Sequence, residues 1–201
     1  PGEPYPPNYH NREHMFNPNR GRVLQEYQLL YISKGKGLLK NDRGQEFVIE
    51  AGDMFLLFPG EWHTYYPEKK IGWDEYWIGF RGVNIDARVK AGFFSAEKPV
   101  YKIGKSTQVV DLYKQAIEIA TDQEAFFQQL LAGIVNHLLG LLFMISQNYS
   151  IQSDGEIPRV IRSARTYMQE HVEENLDMPE VARYLNQSYT TFRRIFKRYV
   201  G

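Results

Sequence analysis

The chain has 201 residues, 43% of them apolar and 24% charged, which excludes a wholly disordered polymer and a collagen-like fibre. Cys is absent, which removes a disulfide scaffold, a thiolate zinc site and a cysteine nucleophile. The 24 Lys and Arg balance 24 Asp and Glu, so any footprint for nucleic acid or an acidic membrane must be local.

Residues 1–20 carry five prolines with several Asn and His and read as an extended arm, without the apolar core of a secretory signal. Residues 21–104 read as β structure. Val23–Ser33 is rich in β-branched, aromatic and leucine residues, and Gly35-Lys36-Gly37 is expected to bend the chain after it. Leu38–Lys40 and Glu46–Ile49 flank Asn41-Asp42-Arg43-Gly44, a tetrad suited to a hairpin turn. Met54–Phe58 stops at Pro59-Gly60, and Trp62–Tyr66 and Trp73–Phe80 follow. At least six short strands at close intervals predict a sandwich or barrel.

After residue 105 the apolar period becomes helical, with Val109, Leu112, Ala116, Ile119 and Ala120 at spacings of three and four. A second helix is expected over Asp122–Gln147, with Thr121 as its N-cap. Its apolar residues cover more than one stripe, so residues 105–148 are expected to pack on the β domain and to pair two copies as a homodimer. Leu130–Ile145 is broken by Gly133, Asn136, His137 and Gly140 and reads as too short and too polar to span a membrane. A soluble cytoplasmic protein without a membrane partner is the expectation.

Residues 149–156 read as a polar linker, and 157–201 as three short helices. The first has Val160, Ile161, Ala164, Met168 and Val172 on one face. The second opens at Asp177-Met178-Pro179-Glu180, a capping-box pattern with Pro in the first turn, and ends near Leu185-Asn186. Ser188 can cap the third, whose core stripe is Phe192, Ile195, Phe196 and Tyr199. Thr190, Arg193, Arg194 and Lys197 fall on the opposite side. Phe192–Gly201 holds four positive charges and no negative one, whereas Glu170–Glu180 holds five negative charges and no positive one. Two helices joined by a tight turn, with one basic face, form the layout of a helix-turn-helix DNA reader. In such a reader Arg meets guanine edges while Lys and Thr suit phosphate.

Val181-Ala182, Ser188, Phe192-Arg193-Arg194-Ile195-Phe196-Lys197 and Tyr199-Val200-Gly201 resemble the first helix-turn-helix of the AraC family of bacterial transcription regulators. Phe192 stands where the family usually has Leu, and Asn186 where it often has Gly. Family DNA-binding domains carry two such units and this sequence stops after the first, so weak DNA binding is expected of it. The resemblance implies that Thr190, Arg193 and Arg194 face bases.

Gly52-Asp53, Pro59-Gly60 and His63 fit the second motif of the cupin barrel, G-D-x5-P-G-x2-H. The first cupin motif, with its two His and a carboxylate, is not found. One imidazole does not make a transition-metal site, so no metal, cofactor or catalytic residue is expected, and His63 reads as structural. Ser33-Lys34-Gly35-Lys36-Gly37, Gln45-Glu46-Phe47-Val48, Leu57–Glu61, Trp73–Arg81 and Gly92-Phe93-Phe94 resemble the sensing domain of arabinose-responsive members of the family. That likeness implies a pocket lined by Lys34, Tyr65, Glu75 and Trp77, with the arm closing over the ligand through residues such as Tyr5, Tyr9 or Phe16. Trp73, Glu75 and Trp77 share one strand face by alternation. A flat indole covers the apolar face of a sugar ring, and a carboxylate accepts hydrogen bonds from neighbouring hydroxyls.

The expected architecture is therefore α+β. A cupin-like β-barrel with two following helices precedes an all-α, incomplete helix-turn-helix segment. The expected function is a ligand-responsive regulator that binds promoter DNA and senses arabinose or a similar pentose. A metal-dependent cupin enzyme acting on a carbohydrate is the alternative, and a module working through a protein partner is a further one.

Overall fold

The computed structural model describes residues 21–152, 156–172 and 176–200. The chain divides into two units, Pro1–Ser146 and Gln147–Gly201. The first is organised by one strand. β2 (Tyr27–Asn41) runs 15 residues without interruption, through the glycines at which the sequence suggests a bend. No side chain is tolerated there. A Cβ on Gly35, whose φ is +82°, would lie 2.0 Å from the Gly72 carbonyl oxygen, and one on Gly37 would lie 2.2 Å from that of Tyr66. The glycines thus let neighbouring backbone close on the strand rather than ending it.

The two halves of β2 belong to two small antiparallel sheets. Its later half pairs with β3 (Glu46–Glu50) and β5 (Trp62–Pro67), and β1 (Arg22–Val23) adds to β5. Its earlier half pairs with β4 (Asp53–Leu57) and β6 (Trp73–Phe80), and β7 (Val100–Lys102) adds to β4. The β2–β3 hairpin turns where expected, with Gly44 at φ +71° and the Asn41 Oδ1 accepting from the backbone N–H groups of Arg43 and Gln45.

At β4 both faces of the second sheet are covered, which is why that strand is an unbroken buried run. Leu30, Ile32, Phe55 and Leu57 face inward and join Leu39 and Ile49 in an apolar cluster between the sheets. Leu29, Tyr31, Met54 and Leu56 face outward, under the helices. Those helices are α1 (Val83–Lys90), α2 (Thr107–Asp122) and α3 (Phe127–Gln152). Tyr113 on α2 donates its hydroxyl to the Leu29 carbonyl at 2.9 Å. Nineteen buried residues make up this outer core, so roughly 1.5–3 kcal/mol per large side chain makes it the dominant stabilising contact of the unit.

The helical segment corrects three expectations. Ser106 caps α2, accepting from the Val109 N–H at 3.3 Å. Thr121 lies in the last turn of that helix and donates to the Ile117 carbonyl, so it caps nothing. Gln123 and Phe126, both at positive φ, carry the chain to α3, which starts at Phe127 and continues through Gln152 into the stretch read as a linker. Phe127–Asn148 is also long and apolar enough, by length and composition, to cross a membrane. Its Ile134, Val135, Leu138, Leu139, Leu141 and Leu142 are buried in the outer core.

In the second unit α4 (Glu156–Glu170), α5 (Met178–Tyr184) and α6 (Tyr189–Val200) enclose Val160, Ile161, Ala164, Val181, Ala182, Phe192 and Ile195. Val172, placed on that face by periodicity, is 76% exposed beyond the end of α4. Asn186 takes the left-handed conformation at φ +54°, as the turn requires. Ser188 caps α6, accepting from the Thr191 N–H at 3.2 Å. The Asp177 side chain makes no capping bond, although Pro179 sits in the first turn of α5 as expected.

Candidate ligand and DNA sites

The inward face of the strands carries a polar and aromatic group beside the apolar cluster. Register places it: Arg22 pairs with His63, and His63 and Tyr65 alternate to the same side of β5. Leu30 pairs with Trp77 and Ile32 with Glu75, so both β6 residues share the face of buried inward leucine and isoleucine. Trp73 joins them, its ring 6.0 Å from that of Tyr65 in a near-stacked arrangement. Tyr65 in turn lies 6.3 Å from the His63 ring. Three of the four residues anticipated as pocket lining, Tyr65, Glu75 and Trp77, therefore stand on one side of the sheet.

Lys34 does not. The register shifts between Ile32 and Lys34, so a β-bulge leaves Lys34 opposite Asp74 rather than in step with Glu75. The two form an ion pair at 3.0 Å, with 79% and 46% of their side chains exposed. The bulge turns the residue away from the inward face, a one-residue displacement that strand alternation alone does not reveal.

Arg22, which sequence reading passes over, occupies the inward face instead. Its Nε donates to His63 Nε2 at 3.4 Å, and its Nη2 donates to Gln28 Oε1 at 3.2 Å and Tyr65 Oη at 3.0 Å. Its guanidinium also lies 5.5 Å from the Tyr65 ring centre. The alternation of β1 is too short to give a signal, since the strand has two residues.

His63 is buried, and its Nδ1 lies 3.2 Å from the Glu61 carbonyl. Desolvation, opposed in part by that carbonyl and reinforced by Arg22, lowers its pKa to about 4. It is therefore neutral at pH 7, with Nδ1–H donating to Glu61 and the Nε2 lone pair facing Arg22. Glu75 is solvent-accessible, yet surrounding protein desolvates it enough to raise its pKa, against the pull of Arg22 and a hydrogen bond from the Trp73 side chain. Trp77 is 56% exposed, an indole on the inward face without a covering side chain over much of its surface.

Residues 6–139 match the family of AraC-like ligand binding domains. The chain belongs to this family. Among its relatives, it is 26% identical over 94% of its length to the MmsAB operon regulatory protein of Pseudomonas aeruginosa, covering 60% of that protein. It is 28% identical over 89% of its length to the arabinose operon regulatory protein of Escherichia coli, covering 61% of it. It thus spans about three fifths of the length of these relatives. Among solved structures, the AraC-like transcriptional activator CuxR aligns over 87% of this chain and 61% of its own, at 13% identity and a TM-score of 0.38.

The second unit of this AraC-like chain presents a basic face. Thr190, Arg193, Arg194 and Lys197 are all exposed along one side of α6, while Phe192 and Ile195 turn inward. Tyr199, assigned to the core stripe by spacing, is 38% exposed. Among the described residues none of the four basic-face side chains is held in an ion pair within the unit. Tyr5, Tyr9 and Phe16, named as arm contacts, lie outside the described residues.

Proposed function

We propose that this chain is the sensing part, with the first DNA-reading helices, of an operon regulator whose effector is a small uncharged sugar, arabinose or a similar pentose. The observation that carries the reading is Trp77: a large indole, 56% exposed, on the same strand face as Glu75. An exposed indole beside a carboxylate suits a ring with apolar C–H edges and vicinal hydroxyls. Relatives named for arabinose, raffinose and lactose operons agree with a carbohydrate effector. Calorimetry against a panel of monosaccharides tests it. We expect saturable binding of a pentose that Trp77→Ala weakens by about tenfold or more; binding that survives unchanged in the variant refutes the site.

The same reading makes the protein a non-enzymatic, cytoplasmic regulator that acts on promoter DNA as a homodimer. Thr190, Arg193, Arg194 and Lys197 form the DNA face. Affinity for promoter DNA is expected to fall steeply with salt through counterion release, and a flat salt dependence would point to a protein partner instead. The exposed side of α3, through Leu130, Gly133, His137, Gly140 and Met144, is the surface assigned to the second copy. Small residues there allow close helix approach. The metal-dependent alternative finds little support, because among the described residues His63 is the one inward histidine and its Nε2 faces a guanidinium.

A further inference from the structure

We propose that His137 makes the homodimer pH-dependent: in an antiparallel pair of α3 helices each imidazole closes over the partner's Gly133 and is buried there only while uncharged. The inference rests on the homodimer reading above and deepens it by naming the register and the group that regulates it.

The exposed side of α3 has the pattern of a seam. Leu130, Gly133, His137, Gly140 and Met144 are all exposed, and Phe126, just ahead of the helix, is 84% exposed. Their spacing alternates between four and three, the repeat along which two helices meet. Between Glu124 and Asp154 the sequence holds no Asp, Glu, Lys or Arg. A solvated helix face carries charges, whereas a face that meets its own copy must carry none that repel it. The two glycines point the same way. Glycine weakens a helix interior, and a Cβ built on Gly133 or Gly140 would meet nothing of its own chain within 4 Å. The fold of one copy therefore gives no reason for glycine at either position, and close approach of a second helix does.

Side-chain size sets the direction of pairing. In a parallel seam like positions meet, so Gly133 would face Gly133 and Gly140 would face Gly140, leaving voids. In an antiparallel seam the two sets of positions meet each other. Leu130 then fills the space over the partner's Gly140, His137 that over the partner's Gly133, and Phe126 lies against the partner's Met144, a favourable contact of sulfur with an aromatic ring. The two His137 side chains come within four residues of one another along the seam, about 6 Å at the helical rise.

His137 is the one residue of this seam that can gain a charge. Among the described residues it has no hydrogen bond or ion pair with any group of α1, α2 or the sheets. The groups brought to face it are the backbone at the partner's Gly133 and the partner's His137, neither of which answers a positive charge. Protonation thus places a cation in a desolvated contact and sets two like charges close together. In the separated chain the imidazole lies in water. The separated chains therefore bind more protons than the pair, so pairing is strongest where His137 is neutral and weakens as pH falls through the histidine range. From Phe126 to Met144 the seam is only about 27 Å long, so one charge per copy weighs heavily against it.

The test is sedimentation equilibrium of the whole chain at pH 8.0 and pH 5.5 at one ionic strength, with circular dichroism confirming the fold at both. Wild type, His137→Gln, His137→Lys and Gly133→Leu are compared. His63 titrates in all four proteins and cancels. For wild type the dimer dissociation constant is expected to rise about tenfold or more on acidification. In His137→Gln the ratio between the two pH values should fall close to one. His137→Lys and Gly133→Leu, a permanent charge and a filled socket, should weaken the dimer at both. A wild-type ratio no larger than that of His137→Gln, or a Gly133→Leu dimer as tight as wild type, overturns this proposal and leaves the homodimer reading standing. A wild-type chain that is monomeric at pH 8.0 overturns that reading, and this one with it.

Discussion

His63 makes a quantitative prediction about stability. Its folded pKa is about 4, whereas an unfolded histidine titrates near 6.5. Below pH 6.5 the unfolded chain takes a proton that the folded chain refuses. The stabilisation is thus complete above about pH 6.5 and is lost progressively as pH falls toward 4. At 1.36 kcal/mol per pK unit, the shift corresponds to about 3 kcal/mol lost from this residue between pH 7 and pH 4. His63→Gln keeps an acceptor for Arg22 and removes the titration. Carboxylates elsewhere contribute equally to both proteins and cancel in the comparison. Urea unfolding at a series of pH values, followed by tryptophan fluorescence, measures it, because all three tryptophans lie on β5 and β6 of the first unit. Wild type should lose stability relative to the variant by about 3 kcal/mol over that window. Parallel pH profiles for the two proteins would show that the imidazole is not desolvated and is not held neutral in the fold.

Three further perturbations follow from the geometry. Lys34→Ala breaks an exposed ion pair on the far side of the bulge, so stability should change by at most about 1 kcal/mol and sugar affinity not at all; calorimetry and urea titration check both. Phe192→Ala empties the centre of the second unit, where Phe192 is 2% exposed, and should cost about 3–5 kcal/mol, read from thermal loss of its helical circular dichroism signal. Leu130→Glu places a charge on the exposed side of α3, where Leu130 is 58% exposed. It should leave the monomer fold intact while shifting sedimentation equilibrium toward monomer, and an unchanged dimer would move the interface elsewhere.

Much of this arrangement is legible in the sequence, for identifiable reasons. The hairpin at Asn41–Gly44, the left-handed Asn186 and the Ser188 cap are local chemistry, set by residues within four positions of one another. Strand alternation suffices to put Trp73, Glu75 and Trp77 together, because the period of two survives any uniform shift of register. Lys34 leaves that face for the complementary reason: a bulge changes parity at one residue, and nothing in Ile32-Ser33-Lys34 marks it. Gly35 and Gly37 carry the right residue type but the wrong inference, since close backbone approach and a bend both call for glycine. Thr121 resembles a cap from its position, yet Ser106 and the left-handed Gln123 set the helix ends. Arg22 is invisible in one dimension because its partners are far along the chain, with His63 41 residues away.

The central claim, that a sugar sits against the inward aromatic face, has a built-in control. Trp73 and Trp77 are on that face, whereas Trp62 alternates to the opposite side of β5 from His63. A titration of the protein with L-arabinose, followed by the three indole N–H signals in nitrogen–proton NMR spectra, separates them directly. The account predicts that the Trp73 and Trp77 signals move and saturate together while Trp62 stays in place. Saturable binding that moves Trp62 alone, or none of the three, contradicts it.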